Sequence, residues 1–294
     1  MQDLIKLIGH EFSIKKLSRE LWYWVKELRP THVGAMHITC ADETEYECTQ
    51  AFQQGFVQHF LPQLKFAHQA PFRISNLGGR YEKGALAIAE NHFCPKRDPR
   101  TTANDFTIMV IKVNSHVGTV SESNEDGYGF IERYGQRSTC CGALTALLNS
   151  TPQMRQEGFL GDLAAVFRGA GNNALQFLSD PKSVQPQYRS LFAAVLSALL
   201  QADRVIDEIQ HTRHPGTGVS ASSPVLHLVV PCVTLNRPET DTEILCGLYK
   251  SDNRSQSDKL KNNGYMGLGK DPAKYNASIQ KRRLVITDQI TEID

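Results

Sequence analysis

The side chains in this sequence best suited to chemistry are one histidine and a set of thiols placed at the edges of apolar stretches. His116 follows the run Ile108 to Val113, and Cys140-Cys141 opens the apolar segment Gly142-Ala143-Leu144. Imidazole and thiolate presented by rigid elements are zinc-type ligands. A third candidate, Cys40, closes the partly apolar run His32 to Thr39 and stands just ahead of Asp42 and Glu43. A catalytic zinc keeps three protein ligands and one open position, and Cys40, His116 and one member of the Cys140-Cys141 pair would make such a set. The intervals between them are too wide for a local motif, so this reading depends on the fold bringing them together. One helix start can aim only one of two adjacent thiols at a given point, which favours Cys141 and leaves Cys140 as the substitute if the register shifts by one. On the residues alone, His116 fits a strand-capping imidazole as well as a ligand, and each thiol fits a small buried core residue.

Such a site needs elements to position it. Apolar residues recur at helical spacing from Leu4 to Leu28 with a break near Gly9 to Ser13, which predicts two helices ending before Pro30. The run His32 to Thr39 predicts a first strand whose carboxyl end carries Cys40 and Asp42. Residues 43–61 then predict a helix with Glu43, Glu45 and Glu47 in its first turns, where the helix dipole favours acids. A strand end meeting a helix start is where open α/β sheets build sites. Asn76-Leu77-Gly78-Gly79 is a tight turn, Gly84 to Glu90 an apolar segment, and 106–113 a second strand. A helix over 141–149 starts at the thiol pair, where its N-terminus lowers a thiol pKa. Further helices are expected over 159–167, 173–178 and 187–209, a connector over 212–223, strands over 224–235 and 243–249, and an edge strand over 283–287. The expected organisation is one α/β domain over 1–294, with N-terminal helices in 1–30, a metal-site core in 31–150 and a helical and C-terminal strand region in 151–294.

Composition narrows the partners. Lysine plus arginine (32) nearly equals aspartate plus glutamate (31) in a chain of 294 residues, so nothing argues for a nucleic-acid or membrane surface. The longest apolar runs, such as Leu191 to Leu200, fall well short of the roughly 18 residues a membrane span needs. Seven cysteines, at 40, 48, 94, 140, 141, 232 and 246, form an odd set without the spacing of a small disulfide framework. That pattern suits a reducing compartment, and a cytoplasmic protein is expected.

Together, Cys40-Ala41-Asp42-Glu43, Asn76-Leu77-Gly78-Gly79, His92-Phe93-Cys94-Pro95, Ser115-His116-Val117-Gly118 and the stretch Arg133 to Ala143 resemble the low-CO2-inducible B protein family (LCIB-like), which is similar to β-type carbonic anhydrases. The resemblance covers roughly residues 12 to 250, and its most specific piece is the histidine followed by G-Q-x-S-x-x-C-G-A. It implies a β-carbonic-anhydrase-like α/β fold with a mainly parallel central sheet flanked by helices, and a homodimer. It also implies Zn2+ on Cys40, His116 and Cys141, with Asp42 beside the open position. The implied activity is hydration of carbon dioxide to bicarbonate through a zinc-bound hydroxide. His92 would lie near the site and could shuttle protons. One departure stands out. The family pattern has an arginine two residues after the aspartate, holding it off the metal, and here that position is Thr44. Arg73, Arg80 and Arg137 are the candidates to replace it, with Arg80 taken as the catalytic one. If none does, Asp42 closes the site and the chain is a weak or inactive zinc-containing scaffold that binds inorganic carbon. A third reading is a thiol hydrolase in which His116 activates Cys141.

Overall fold

The computed structural model describes residues 9–60, 70–93, 106–121, 127–168, 174–211, 225–252 and 264–265. The first half contains β1 (His10–Ser13), α1 (Ile14–Glu27), β2 (His32–Cys40), a 3-10 turn (Glu43–Glu45), α2 (Tyr46–Phe60), β3 (Phe72–Asn76), α3 (Ala85–Phe93) and β4 (Thr107–Gly118). It continues with β5 (Phe130–Arg133), β6 (Gln136–Thr139), α4 (Gly142–Asn149), α5 (Gly158–Phe167), α6 (Ala174–Ser179) and α7 (Arg189–His211). The chain then returns to the sheet with β7 (Val225–Asn236), β8 (Thr242–Leu245), β9 (Tyr249–Asp252) and β10 (Gly264–Tyr265).

The centre of the sheet is parallel, in the order β3-β2-β4-β7. β8 and β9 join the far edge of β7 antiparallel, β1 adds to β8, and β10 adds to β9. Parallel strands joined by crossover helices are covered on both faces and so read as nearly continuous apolar runs; β4 and β7 are buried at every position. On one face, α1 and α2 pack Trp22, Phe52, Phe56 and Phe60 over Val110, Leu228 and Val230. On the other, α3 and α7 cover Met36, Ile38, Met109 and Ile111. Helices α4 to α7 form a third cluster that includes Cys40 and Cys141. The expected α/β architecture with a mostly parallel sheet flanked by helices is therefore what the chain adopts. No helix among the described residues is long and apolar enough to cross a membrane.

Four differences have physical reasons. The second strand does not stop at Val113: β7 pairs with β4 from Asn114 through Gly118, so the ladder carries the strand past the point where hydrophobicity ends. His116 thus lies within a central strand, not in a loop beyond it. The break at Gly9 to Ser13 is a strand, because His10–Ser13 finds a partner in β8. The expected strand over 243–249 is two short ones separated by residues 246–248. The polar β5-β6 hairpin was not anticipated; its turn at Tyr134-Gly135 has φ of 54° and 72°, as a two-residue type I′ connection requires. The helix beginning at Leu4, the 212–223 connector and the 283–287 strand lie outside the described residues.

Trp22 has no solvent exposure, and its ring lies 5.0, 5.3 and 5.6 Å from those of Phe52, Phe56 and Phe60. Trp22→Ala is expected to remove about 3–5 kcal/mol of unfolding free energy. Urea denaturation followed by circular dichroism checks this.

Candidate metal centre

Cys40 ends β2, His116 lies in the neighbouring β4, and Cys141 immediately precedes α4. Their ligand atoms all lie within 4.8 Å of one another, and all three residues are buried. The two sulfurs are 3.8 Å apart, and the backbone N–H of Gly78 donates to Cys40 Sγ at 3.4 Å. Gly78 has φ of +78°, a left-handed conformation that glycine adopts without a steric cost, and this aims the amide at the thiol. An N–H donor of this kind stabilises a thiolate whether or not a metal is present.

His116 is completely buried. Its Nδ1 lies 3.2 Å from Asn236 Oδ1, 3.1 Å from Thr44 Oγ1 and 3.4 Å from Cys140 Sγ. The Asn236 amide is oriented by its other end, where Nδ2 donates to Thr44 O and to Asp241 Oδ2, each at 3.0 Å. Its oxygen therefore faces the imidazole as an acceptor, which puts the ring proton on Nδ1. Nε2 is left buried with no hydrogen-bond partner. A buried polar atom without a partner is costly, and its ring is the imidazole that shares a cluster with the two sulfurs. Two thiolates and a bare imidazole nitrogen are the donor set zinc takes, so the residues fit a zinc ion with one position left over.

Without a cation the three groups hold protons that a bound metal would displace. The hydrogen bond from Cys141 pulls the Cys40 thiol down to about 4, with burial opposing and His116 assisting. The same bond, joined by burial, pushes Cys141 well up. One proton is thus shared across the sulfur pair. Burial pulls His116 down, but the neighbouring cysteines, Cys141 first, outweigh it and the group ends up raised.

Asp42 lies beside these groups, with Oδ2 4.0 Å from His116 Nε2. Its other oxygen, Oδ1, accepts from the Thr44 backbone N–H at 3.1 Å and from the Thr44 hydroxyl at 2.9 Å, and Arg133 Nη2 lies 3.3 Å away. Burial raises this carboxyl, yet His116, Thr44 and Arg133 together hold it below its usual value. Thr44 thus links ligand to carboxylate: its hydroxyl can accept from His116 Nδ1 while donating to Asp42.

The other candidate residues fall elsewhere. Cys140 is buried on the Nδ1 edge of the imidazole, 3.3 Å from Asn236 Oδ1, and is not part of the cluster. Arg80 pairs with Asp162 at 2.9 Å and Glu82 at 3.7 Å and not with Asp42. Arg73 reaches Ser75, and Arg137 lies 4.3 Å over the Phe130 ring. His92 packs against Phe72, with ring centroids 5.8 Å apart. Phe72 pairs with Met36, whereas Asn76 pairs with Cys40. His92 therefore sits four residues back along the strand, about 13 Å from the thiol end, and the structure does not bring it to the cluster. Cys94 lies outside the described residues. Sequence reasoning missed Arg133, Asn236 and the linking role of Thr44. Arg133 stands in the stretch that carries the resemblance but is not among the candidate arginines for Asp42, and Asn236, at the end of β7, has no local signal.

Two predictions follow from this geometry. Cys141→Ser is expected to abolish tight metal binding while Cys140→Ser leaves it nearly intact, as read by competition with a chromophoric chelator. Asn236→Ala removes the acceptor that fixes the tautomer, and it is expected to weaken metal affinity about 10–100-fold in the same assay.

No protein-family profile matches this chain, and no curated protein sequence matches it. Solved structures do. PtLCIB4, a homolog of the limiting CO2-inducible protein LCIB, superposes with a TM-score of 0.53 at 13% identity, covering 84% of this chain and 93% of that one. LCIB itself gives a TM-score of 0.49 at 13% identity over 91% and 98%. The β-carbonic anhydrase CcaA gives 0.33 at 14% identity over 78% of each chain. The superposition on PtLCIB4 shows that the two chains share a fold.

Proposed function

We propose that this chain is a zinc-dependent, carbonic anhydrase-like lyase that hydrates carbon dioxide to bicarbonate. The observation that carries the reading is the buried cluster of Cys40, His116 and Cys141, in which His116 Nε2 has no hydrogen-bond partner and the Asp42 carboxylate lies beside it. The fold shared with a homolog of the limiting CO2-inducible protein supports it.

Cys40, His116 and Cys141 would hold the ion. Zinc bound there supplies a Lewis acid that lowers the pKa of a water to about 7, so that hydroxide is available at neutral pH. The chain's own residues do the rest. The two thiolates together with the Gly78 amide set the charge and the aim of the donors. Asn236 and Thr44 keep the proton of His116 on Nδ1. Asp42, whose Oδ2 lies 4.0 Å from His116 Nε2, would accept a hydrogen bond from the attacking group and orient it, while its Oδ1 is held by Thr44 and Arg133. An acceptor-only carboxylate selects a protonated nucleophile and leaves carbon dioxide, which has no proton to give, free to approach.

The thiol-hydrolase reading is disfavoured by the same geometry. Cys141 is buried, its thiol is pushed up, and its near neighbour is a second sulfur that shares its proton. Protein purified without added zinc is expected to show stopped-flow carbon dioxide hydration that rises with pH through an ionisation near 7. Cys40→Ser is expected to lower that rate by at least about a thousandfold, the scale on which one metal-activated water contributes. Hydration at the buffer rate by fully zinc-loaded protein would overturn the proposal.

A further inference from the structure

We infer that Arg133 is the positioning residue that keeps Asp42 off the metal, acting from the β5-β6 hairpin in place of an arginine at position 44. The inference rests on the zinc reading above and extends it to a residue to which the resemblance gives no role. A carboxylate two residues from a ligand can swing onto the ion as a fourth donor or be held back by hydrogen bonds. Which state holds depends on what occupies its oxygens. In this chain Oδ1 has three donors, two from Thr44 and one from Arg133. The Thr44 pair belongs to the same turn and moves with the carboxylate. Arg133 is the donor that ties Asp42 to a different part of the fold.

The hairpin is well placed for this. Arg133 Nη2 reaches Asp42 Oδ1 at 3.3 Å and Glu43 Oε1 at 2.6 Å, and Nη1 donates to Thr139 O at 3.3 Å. Glu43 draws the guanidinium down over the 3-10 turn, and Thr139 fixes its other arm. The hairpin base is tied to β4 just beyond His116: Gly118 N–H donates to Cys140 O at 3.0 Å, Gly129 N–H to Gly118 O at 2.8 Å, and Cys140 N–H to Gly129 O at 2.9 Å. The approach is so close that a Cβ on Gly118 would meet Ile131, lie 2.7 Å from Phe130 O and 2.9 Å from Cys140 Cβ. The strand leaving the hairpin runs directly into Cys141. Arg133 and two of the three ligands therefore share one backbone frame, and the guanidinium keeps a fixed place relative to the metal position.

The Arg133 side chain is 26% exposed and that of Asp42 16%. The pair is thus partly solvated, and its strength comes from acting with the Thr44 bonds and not from charge alone. Lysine cannot reproduce the reach to Asp42, Glu43 and Thr139 at once, since it presents a point charge and not a planar fork.

The test uses the full-length protein loaded with cobalt(II), whose visible spectrum reports the coordination shell without any turnover. In wild type, thiocyanate is expected to perturb the spectrum by taking the open position. In Arg133→Ala, Asp42 is expected to fill that position, shifting the bands before thiocyanate is added and weakening the thiocyanate response at least tenfold. Arg133→Lys is expected to fall between the two, and Arg133→Ala combined with Asp42→Asn to recover the thiocyanate response. Equal cobalt stoichiometry and equal thermal unfolding across the set separate a positioning effect from damage to the fold. A wild-type spectrum and thiocyanate response in Arg133→Ala would overturn this inference alone. Failure of every variant, wild type included, to bind cobalt would overturn the metal reading and the inference with it.

Discussion

The constraint on which the candidate site depends is the single proton of one buried imidazole. His116 is enclosed on all sides, so each of its nitrogens must find a partner inside the protein. Asn236 accepts from one, in an orientation fixed by Thr44 O and Asp241. In the neutral ring the other nitrogen is therefore left without a proton, beside the Asp42 carboxylate and in a ring clustered with two sulfurs. If Asn236 were turned over, its Nδ2 would face Nδ1, the proton would move to Nε2, and the cluster would present a donor where a ligand is needed. The chemistry of the site is thus decided by an amide 120 residues away in sequence.

That arrangement is part of a longer feature. Lys112, Asn114 and His116 share one face of β4, with Val113 and Ser115 between them on the other, and all three are buried. Lys112 forms an ion pair with Glu243 and reaches Cys48 Sγ at 3.0 Å. Asn114 bonds Glu45 and donates to Thr234 Oγ1 at 2.8 Å, and burial raises the carboxyl of Glu45. A polar column in the middle of a parallel sheet is destabilising unless each member is paired. These partners come from α2, the 3-10 turn, β7 and β8, which fixes the register of those elements against β4. The column ends at His116, at the carboxyl end of the sheet where ligands gather in folds of this kind.

Much of this is legible in the sequence. Cys40 and Asp42 are visible because they follow an apolar run and precede an acidic helix start. That only one of Cys140 and Cys141 joins the cluster follows from what one helix start can aim, while Cys140 stays open as the substitute until the fold sets the register. The strand over 106–113 is visible, but its extension to Gly118 is not, because Asn114, Ser115 and His116 are polar and only the hydrogen-bond ladder with β7 keeps them in the sheet. Arg133 could not be chosen over Arg73, Arg80 and Arg137: all four lie far from Asp42 in sequence, and only the packing of a hairpin onto Gly118 selects among them. The absence of an arginine at position 44 reads in sequence as a missing part. In the structure Thr44 makes two bonds to Asp42 and one contact with His116, and the guanidinium comes from across the site.

The most direct test of the central claim is X-ray absorption at the zinc edge on protein purified without added metal. The account predicts one zinc per chain bound by two sulfurs near 2.3 Å and one imidazole nitrogen near 2.0 Å, with a single light-atom ligand completing the tetrahedron. Protein lacking zinc after such a purification, or zinc coordinated by three sulfurs with Cys140 among them, would contradict it.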